Sequence, residues 1–181
     1  MKENETDSNR ALTPSDSPII RQTPGEDLIR RAREDVRASQ ATDKHLNKAV
    51  DALNAKDYQR AIEAFQHALQ HNRESAEAHF YLGLSYFMVG DYPNAAASYK
   101  MAIACEPMDA TVHLNLGTVY QLLKRNDDAI QAYQRAIVLE PNNPEAYSQL
   151  GSAYSTQGKR REAVAAYKEA IRLKLVSELG K

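Results

Sequence analysis

The protein has 181 residues, of which 43% are hydrophobic and 26% charged, a composition typical of a soluble globular chain with room for one domain and a tail. Its formal net charge of -1 at pH 7 argues against binding of nucleic acid or of an anionic membrane. Because the sequence has one cysteine, Cys105, no signal-peptide pattern and no run of roughly 18–20 apolar residues, we predict no intramolecular disulfide, no membrane insertion and a cytoplasmic location.

A polar segment, residues 1–25, opens the chain. Its bulky apolar side chains are Leu12, Ile19 and Ile20, too few to offset the entropy of ordering, so we predict a disordered tail. Three serine or threonine residues precede proline in this tail: Thr13, Ser17 and Thr23. A solubilising role is favoured over proline-directed phosphorylation, because such pairs are common in disordered segments. Alternatively, Ile19 and Ile20 form a short docking motif.

Residues 26–41 are predicted to form an amphipathic helix. The segment has acidic residues in its first turn and neither glycine nor proline inside. Its apolar side chains recur at helical spacing: Leu28, Ile29, Ala32 and Val36. The helix either caps the domain that follows or docks on a partner. Capping is favoured, because a repeat array begins at residue 42 and its end requires a cover.

From residue 42 onward the sequence repeats every 34 residues. The first half of each well-formed unit has a Leu-Gly-x-x-Tyr motif, with the glycine at Gly83, Gly117 and Gly151. The second half has recurring alanines and tyrosines: Ala95, Ala129 and Ala163, then Tyr99, Tyr133 and Tyr167, then Ala102, Ala136 and Ala170. A glycine inside a helix costs about 1 kcal/mol relative to alanine. Its recurrence therefore predicts close helix packing, with Ala95 and its repeats at the matching small position of the second helix.

This pattern resembles the tetratricopeptide repeat, a 34-residue helix–turn–helix unit. The resemblance covers residues 42–177 and implies an all-α fold, a right-handed solenoid of helical hairpins behind the tail and the additional helix. It divides the chain into four units and a short C-terminal end: 42–75, 76–109, 110–143, 144–177 and 178–181. Pro107 and Pro141 are expected to end second helices, with Pro144 in the first turn of the next helix and Asn143 as its N-cap.

The two terminal units depart from the pattern. In the first, Lys48, Ala52 and Arg73 replace the leucine, the tyrosine and the closing proline, as expected of a degenerate end unit. In the fourth, leucine replaces the closing proline, so we predict that the last helix continues without a separate capping helix. Four side chains are expected to be partly exposed there: Leu173, Leu175, Val176 and Leu179. This C-terminal edge is a candidate for self-association or for contact within a complex.

The histidines favour packing over chemistry. His45, His79 and His113 recur every 34 residues on successive first helices, which lie ~8–10 Å apart, whereas zinc requires nitrogens at ~2.0–2.1 Å. His67 and His71 have a metal-compatible i, i+4 spacing, but no third ligand is evident. We therefore predict no metal site and no cofactor. The sequence also has no phosphate loop, nucleophile elbow or metalloprotease motif, so no catalytic residue is predicted.

The resemblance implies a concave groove lined by the first helices, at positions 2, 5, 6, 9, 12 and 13 of each unit. In the second unit the groove positions are mostly apolar: Phe80, Tyr81, Leu84, Phe87 and Met88. Candidate positions in the third and fourth units are mostly polar: Leu114, Asn115, Thr118, Gln121, Gln149 and Ser152. We predict that the groove holds a partner segment with apolar side chains. Asn115, Gln121 and Gln149 are expected to bond the backbone of that segment.

Two further expectations concern the occupant of this groove. Some members of the family hold acidic C-terminal tails of chaperones with lysine and arginine, but no groove position here carries either residue. We therefore predict that the partner is not such a carboxylate tail. The alternative to partner binding is that some of the apolar residues pack against helix 26–41 or against the first unit.

Taken together, these patterns predict a non-enzymatic scaffold for protein–protein interaction, or an assembly adaptor. Two alternatives remain within binding: a co-chaperone or assembly factor for one client, and a structural subunit of a larger complex. A metal-dependent sensor using His67 and His71, or an enzyme, is the class that the sequence argues against.

Overall fold

The computed structural model describes residues 44–179, and every regular element in that range is an α-helix. Residues 44–54 are helical (α1), and seven further helices follow: α2 (Tyr58–His71), α3 (Ala76–Met88), α4 (Tyr92–Cys105), α5 (Ala110–Leu122), α6 (Asn126–Leu139), α7 (Pro144–Thr156) and α8 (Arg160–Leu179). The predicted tail, the predicted helix 26–41 and the start of the first unit lie outside the described residues.

The helices stack in chain order, each against its sequence neighbours. The pairs α3–α4, α5–α6 and α7–α8 pack as hairpins, and α2–α3, α4–α5 and α6–α7 join one hairpin to the next. The first helix α5 also touches the next first helix, α7. This is the predicted all-α solenoid of helical hairpins. Among the described helices, none combines the length and the apolar character needed to cross a bilayer.

Each hairpin turns through one residue in the left-handed backbone conformation. The four residues are 34 apart in sequence: Lys56, Gly90, Lys124 and Gly158, with φ of 59, 82, 61 and 73°. In each turn the next residue donates its N–H to a carbonyl one turn back in the first helix, as Asp91 does to Tyr86 at 2.9 Å. The turn geometry is therefore the same whether glycine or lysine occupies it, although lysine adopts it at a steric cost.

Side chains mark where helices begin. Asn143 accepts from the backbone N–H groups of Glu145 and Ala146, which confirms it as the N-cap of α7, and Pro144 stands in the first turn. Asp109 caps α5 in the same way. The prolines that follow α4 and α6 come directly after their C-cap residues, as expected of residues that cannot continue a helix.

Close packing at the recurring glycines is confirmed, but the residue opposite is a tyrosine. A Cβ added to Gly83 would lie 2.8 Å from the ring of Tyr99, and one added to Gly117 would lie 2.5 Å from the ring of Tyr133. The atoms nearest to each of these two glycines thus belong to a tyrosine ring of the second helix. The alanines fill the core beside the rings, and Ala95 and Ala129 are fully buried.

The last helix continues as predicted, since α8 runs for 20 residues to Leu179. Leu175 is 52% exposed, and Val176 and Leu179 are also exposed. Leu173 is only 7% exposed, so its predicted exposure was wrong. Its side chain lies on the same stripe of α8 as buried Ala163, Ala166 and Ala170, which faces the neighbouring helix.

Candidate partner-binding groove

The apolar groove residues predicted on α3 lie at the surface but are supported from behind. Phe80, Tyr81, Leu84 and Phe87 are half-buried, and Met88 is 46% exposed. Phe80 and Phe87 pack against the core cluster that α4 and α5 contribute to. The rings are therefore held in place by the fold, while part of each remains available for a partner.

Ring contacts show where this support comes from. The centroid of Phe80 lies 5.1 Å from that of Tyr81 and 5.9 Å from that of Tyr99 on α4. Tyr81 stacks on Phe65 of α2 with centroids 5.9 Å apart, and Phe87 lies 5.9 Å from Tyr92. The first unit therefore covers one face of the Tyr81 ring, which is the kind of packing that the alternative to partner binding describes. For the other rings the described neighbours belong to their own hairpin or to the third unit.

The polar half of the groove is tied together by hydrogen bonds. The hydroxyl of Tyr133 donates to Gln121 Oε1 at 2.7 Å and also lies 3.3 Å from Thr118 Oγ1. Gln121 Nε2 in turn donates to Ser152 Oγ on α7 at 3.4 Å. Burial raises the pKa of Tyr133 to about 12, against a lowering contribution from the Thr118 hydroxyl. The amide of Gln121 therefore joins α5, α6 and α7 to one another.

The remaining polar positions are less constrained. Within residues 44–179 the side-chain amides of Asn115 and Gln149 form no hydrogen bonds, and both residues are half-buried. Leu114, also half-buried, packs against the core and accepts the Thr118 hydroxyl through its carbonyl at 3.2 Å. Asn115 and Gln149 thus keep free donors and acceptors on this face.

A cavity of about 280 Å³ lies beside the aromatic residues, between α3, the end of α4 and the start of α5. Phe80, Tyr81, Ala102 and Val112 contribute apolar walls. Three carboxylate residues also line it: Glu77, Glu106 and Asp109. Glu106 and Asp109 were not among the predicted groove residues, because that prediction used only positions on first helices. The sequence does indicate that these two residues lie near the groove, because a short loop joins the end of one unit to the start of the next.

Two of the recurring histidines, His79 and His113, contact the loop before their own helix. His79 Nε2 lies 2.9 Å from the carbonyl oxygen of Arg73, and His113 Nε2 lies 3.1 Å from that of Pro107, six residues earlier in each case. Each ring thereby fastens the loop before its helix. The sequence offers a periodic signal for this role, since these histidines recur every 34 residues.

His45 takes a different position, against the histidine pair on α2. Its ring stacks on His67 and His71, with centroids 5.4 and 5.8 Å apart and planes inclined by 27 and 19°. Burial, followed by the nearby charges of the two histidines, lowers the pKa of His45. Within residues 44–179, no group of three His, Cys, Asp or Glu side chains is arranged to hold a metal ion. The sequence did not place His45 beside the pair.

Family comparisons agree with this geometry. Models of the tetratricopeptide repeat match residues 46–107 and 144–175, and a model of the TPR repeat matches residues 122–158. The chain is a tetratricopeptide repeat protein. No curated protein matches the sequence.

Solved structures resemble this tetratricopeptide repeat protein over most of its length. A crystal structure of MamA matches 88% of this chain and 99% of its own, with 25% identity and a TM-score of 0.75. The first TPR domain of RPAP3, solved with the HSP90 peptide SRMEEVD, matches 66% of this chain and 95% of its own (20% identity, TM-score 0.64). The TPR domain of Arabidopsis OM64 matches 66% and 98% (19% identity, TM-score 0.63). The last two likenesses show the fold alone.

Tetratricopeptide repeat proteins are typically non-enzymatic modules for protein interaction, and this chain has their fold. As in other repeat arrays, each unit contacts only its neighbours and contributes its own part of the surface. The groove positions that differ between units are therefore the candidates for residues that determine which partner this chain binds.

Proposed function

We propose that the chain is an interaction scaffold or assembly adaptor that holds a partner segment with apolar side chains in the groove beside α3. The observation that carries the proposal is the row of Phe80, Leu84, Phe87 and Met88, which are spaced along one face of α3 and remain partly exposed. Residues at i, i+4, i+7 and i+8 lie on one side of a helix. Burying an apolar side chain of this size is worth about 1.5–3 kcal/mol, so two or three contacts would dominate the affinity.

The rigidity of this row supports the proposal. The rings of Phe80 and Phe87 are packed from behind by Tyr99 and Tyr92, so little side-chain entropy remains to be lost when a partner covers them. Free donors and acceptors at Asn115 and Gln149 lie on neighbouring first helices, and we propose that they bond the backbone of the partner segment. Gln121, Thr118 and Ser152 then hold the shape of the groove.

The same face disfavours an acidic C-terminal tail. No groove position in this chain is lysine or arginine, and Glu77 and Glu145 are exposed at the starts of α3 and α7. The RPAP3 domain is solved with a peptide ending in EEVD. We expect a labelled SRMEEVD peptide to bind this chain weakly, with any binding removed by high salt. Tight binding that survives high salt would contradict this part of the proposal.

Site-specific photo-crosslinking tests the groove directly. A photoreactive phenylalanine analogue at Leu84 or Met88 should form crosslinks to one partner segment rich in apolar residues when the full chain is exposed to extracts of its source cells. The matched control carries the analogue at Met101 on α4, which is 49% exposed but not a groove position. Equal labelling of the same segment from Met101 would contradict a groove site. Labelling from Met101 alone would place the interaction elsewhere.

A second candidate function is that of a structural subunit that meets a neighbour through the C-terminal edge. Val164 is 53% exposed on α8, whereas Ile130, the residue at the same repeat position on α6, is 7% exposed under the next hairpin. Exposed apolar patches of this kind mark interaction surfaces. Ile171, on the same helix, is 58% exposed, so sedimentation velocity of the wild type and of Ile171→Lys tests this candidate. A larger species that Ile171→Lys converts to monomer would support it, and a wild-type monomer at all concentrations would exclude self-association.

A further inference from the structure

We propose that the partner segment carries a lysine or arginine beside its apolar side chains, and that this cation enters the cavity lined by Glu77, Glu106 and Asp109. The inference rests on the proposed function, since the cavity opens on the groove at Phe80 and Tyr81. It adds to that function the charge of the partner and the place where the charge is held.

The walls and the rim of the cavity suit different parts of one side chain. Phe80, Ala102 and Val112 provide apolar surface, against which the hydrocarbon stem of a lysine or arginine packs well. The carboxylates provide the opposite charge for its head group. The volume of about 280 Å³ exceeds that of one such side chain, so the cavity admits it with its hydration.

Two independent features attract a cation to this place. One is the carboxylate triplet, and within residues 44–179 none of its members is in an ion pair. The other is the aromatic part of the lining, Phe80 and Tyr81, since an aromatic ring attracts a cation whose head group comes to lie over its face. An acidic or neutral polar segment would gain from neither.

The capping role of Asp109 leaves room for a ligand. Its Oδ1 accepts from the N–H groups of Thr111 and Val112, at 2.8 and 3.4 Å. These bonds leave the second oxygen without a hydrogen-bond partner in the described part of the chain. Glu77 stands in the first turn of α3, and Glu106, the C-cap of α4, is exposed.

The charge pattern is particular to this junction of units. At the positions one repeat later, Glu77, Glu106 and Asp109 correspond to Thr111, Glu140 and Asn143, so only one carboxylate remains. One repeat earlier, the residues matching Glu106 and Asp109 are Asn72 and Ser75. Aspartate, asparagine and serine thus all occur at the capping position, and the repeat itself does not require a negative charge here.

The experiment is a selection from a random dodecapeptide library displayed on phage, against the full chain and three variants. The first variant is Glu77→Gln/Glu106→Gln/Asp109→Asn, which removes the charges but keeps amide groups and a good N-cap. The second is the matched control Glu63→Gln/Glu162→Gln/Glu178→Gln, which removes three exposed carboxylates outside the cavity. The third is Phe80→Ala/Phe87→Ala. Circular dichroism melts establish that each variant is folded.

The wild type and the matched control are expected to select peptides with apolar residues and a lysine or arginine at a fixed spacing from them. The charge-removed variant should still select apolar peptides but without the basic residue, and should bind wild-type-selected peptides about tenfold more weakly. Apolar peptides without basic enrichment, or basic enrichment that survives in the charge-removed variant, would overturn this inference and leave the proposed function standing. Peptides that bind the folded Phe80→Ala/Phe87→Ala variant as tightly as the wild type would overturn the proposed function itself.

Discussion

The second and fourth units share one scaffold but present different faces. On α3 and α7 the motif glycines, Gly83 and Gly151, lie against the tyrosine ring of their own second helix in the same way. At the groove positions the two helices have little in common: Phe80, Leu84, Phe87 and Met88 in the second unit correspond to Ser148, Ser152, Ser155 and Thr156 in the fourth. The repeated residues determine where the helices stand, and the residues between them determine what each helix offers to a partner.

The two units also differ in what covers them. Tyr133 in the third unit is 0% exposed, because the fourth hairpin packs over it, whereas Tyr167 at the same position of the fourth unit is 37% exposed. An identical side chain therefore contributes differently according to its place in the array. Stability in such an array is approximately the sum of each unit and its interfaces with neighbours.

The largest expected effect comes from removing these tyrosines one at a time. Tyr133→Ala should reduce the free energy of unfolding by about 3–5 kcal/mol, as for other fully buried aromatic residues. Tyr167→Ala should cost about 1–2 kcal/mol, because part of that side chain is already in water. Urea denaturation followed by circular dichroism measures both. Equal losses at the two positions would show that a further element covers Tyr167.

The second largest expected effect distinguishes a role of the α3 rings in partner binding from a role in packing alone. Phe80→Ala/Phe87→Ala should weaken binding of the crosslinked partner segment at least about 100-fold, since two large apolar contacts are lost. Thermal stability should also fall, because both rings pack on tyrosines of their own hairpin. Ser148→Ala/Ser155→Ala at the corresponding positions of the fourth unit is the control and should leave affinity nearly unchanged. Full binding by the α3 variant, with a lower melting temperature, would show that these rings serve packing alone.

Much of the scaffold was predictable because its signals are local or periodic. The period of 34 residues, the N-cap at Asn143 and the long last helix can each be recognised along a single stretch of sequence. The contact between each glycine and a particular tyrosine ring was not predicted, because a repeat pattern shows that both residues recur but not which side chain of the second helix lies nearest the glycine. The burial of Leu173 was missed because exposure had been inferred from the missing cap and not from the face of the helix.

The groove was less predictable, because its residues also take part in contacts between units. Gln121 resembles a free amide in the sequence, yet its oxygen accepts from Tyr133 and its nitrogen donates to Ser152. Glu106 contributes to the cavity from the loop after a second helix, a position that the family pattern does not assign to the groove. Neither contact follows from spacing on a first helix. They depend on how far neighbouring hairpins are rotated against one another.

A third, smaller effect tests the shared scaffold at the glycines. In Gly117→Ala the new Cβ would lie 2.5 Å from Tyr133 Cε1, too close without a shift of the ring or the helices. We expect a net loss of about 1–2 kcal/mol, because crowding costs about 1–3 kcal/mol and the better helix propensity of alanine returns part of it. Adding Tyr133→Leu should make the Gly117→Ala change less costly than it is in the wild type, as a double-mutant cycle in urea would measure. An additive cycle would mean that the ring is not the obstacle.

The smallest expected effect lies in the turns, where the second and fourth units have glycine and the first and third have lysine. Lys124 has φ of 61°, a conformation that costs side-chain-bearing residues about 1–2 kcal/mol, whereas Gly90 adopts it freely. Lys124→Gly should therefore raise the free energy of unfolding by about 0.5–1 kcal/mol, after the greater entropy of glycine in the unfolded chain is subtracted. The reverse change, Gly90→Lys, should lower it by a similar amount, since no atom beyond the neighbouring residues of the chain lies within 4 Å of the added Cβ and only the conformational energy of the backbone changes. If Lys124→Gly is neutral or destabilising, contacts of the lysine side chain offset its backbone strain, and the turns of the two kinds of unit are equivalent in energy as well as in shape.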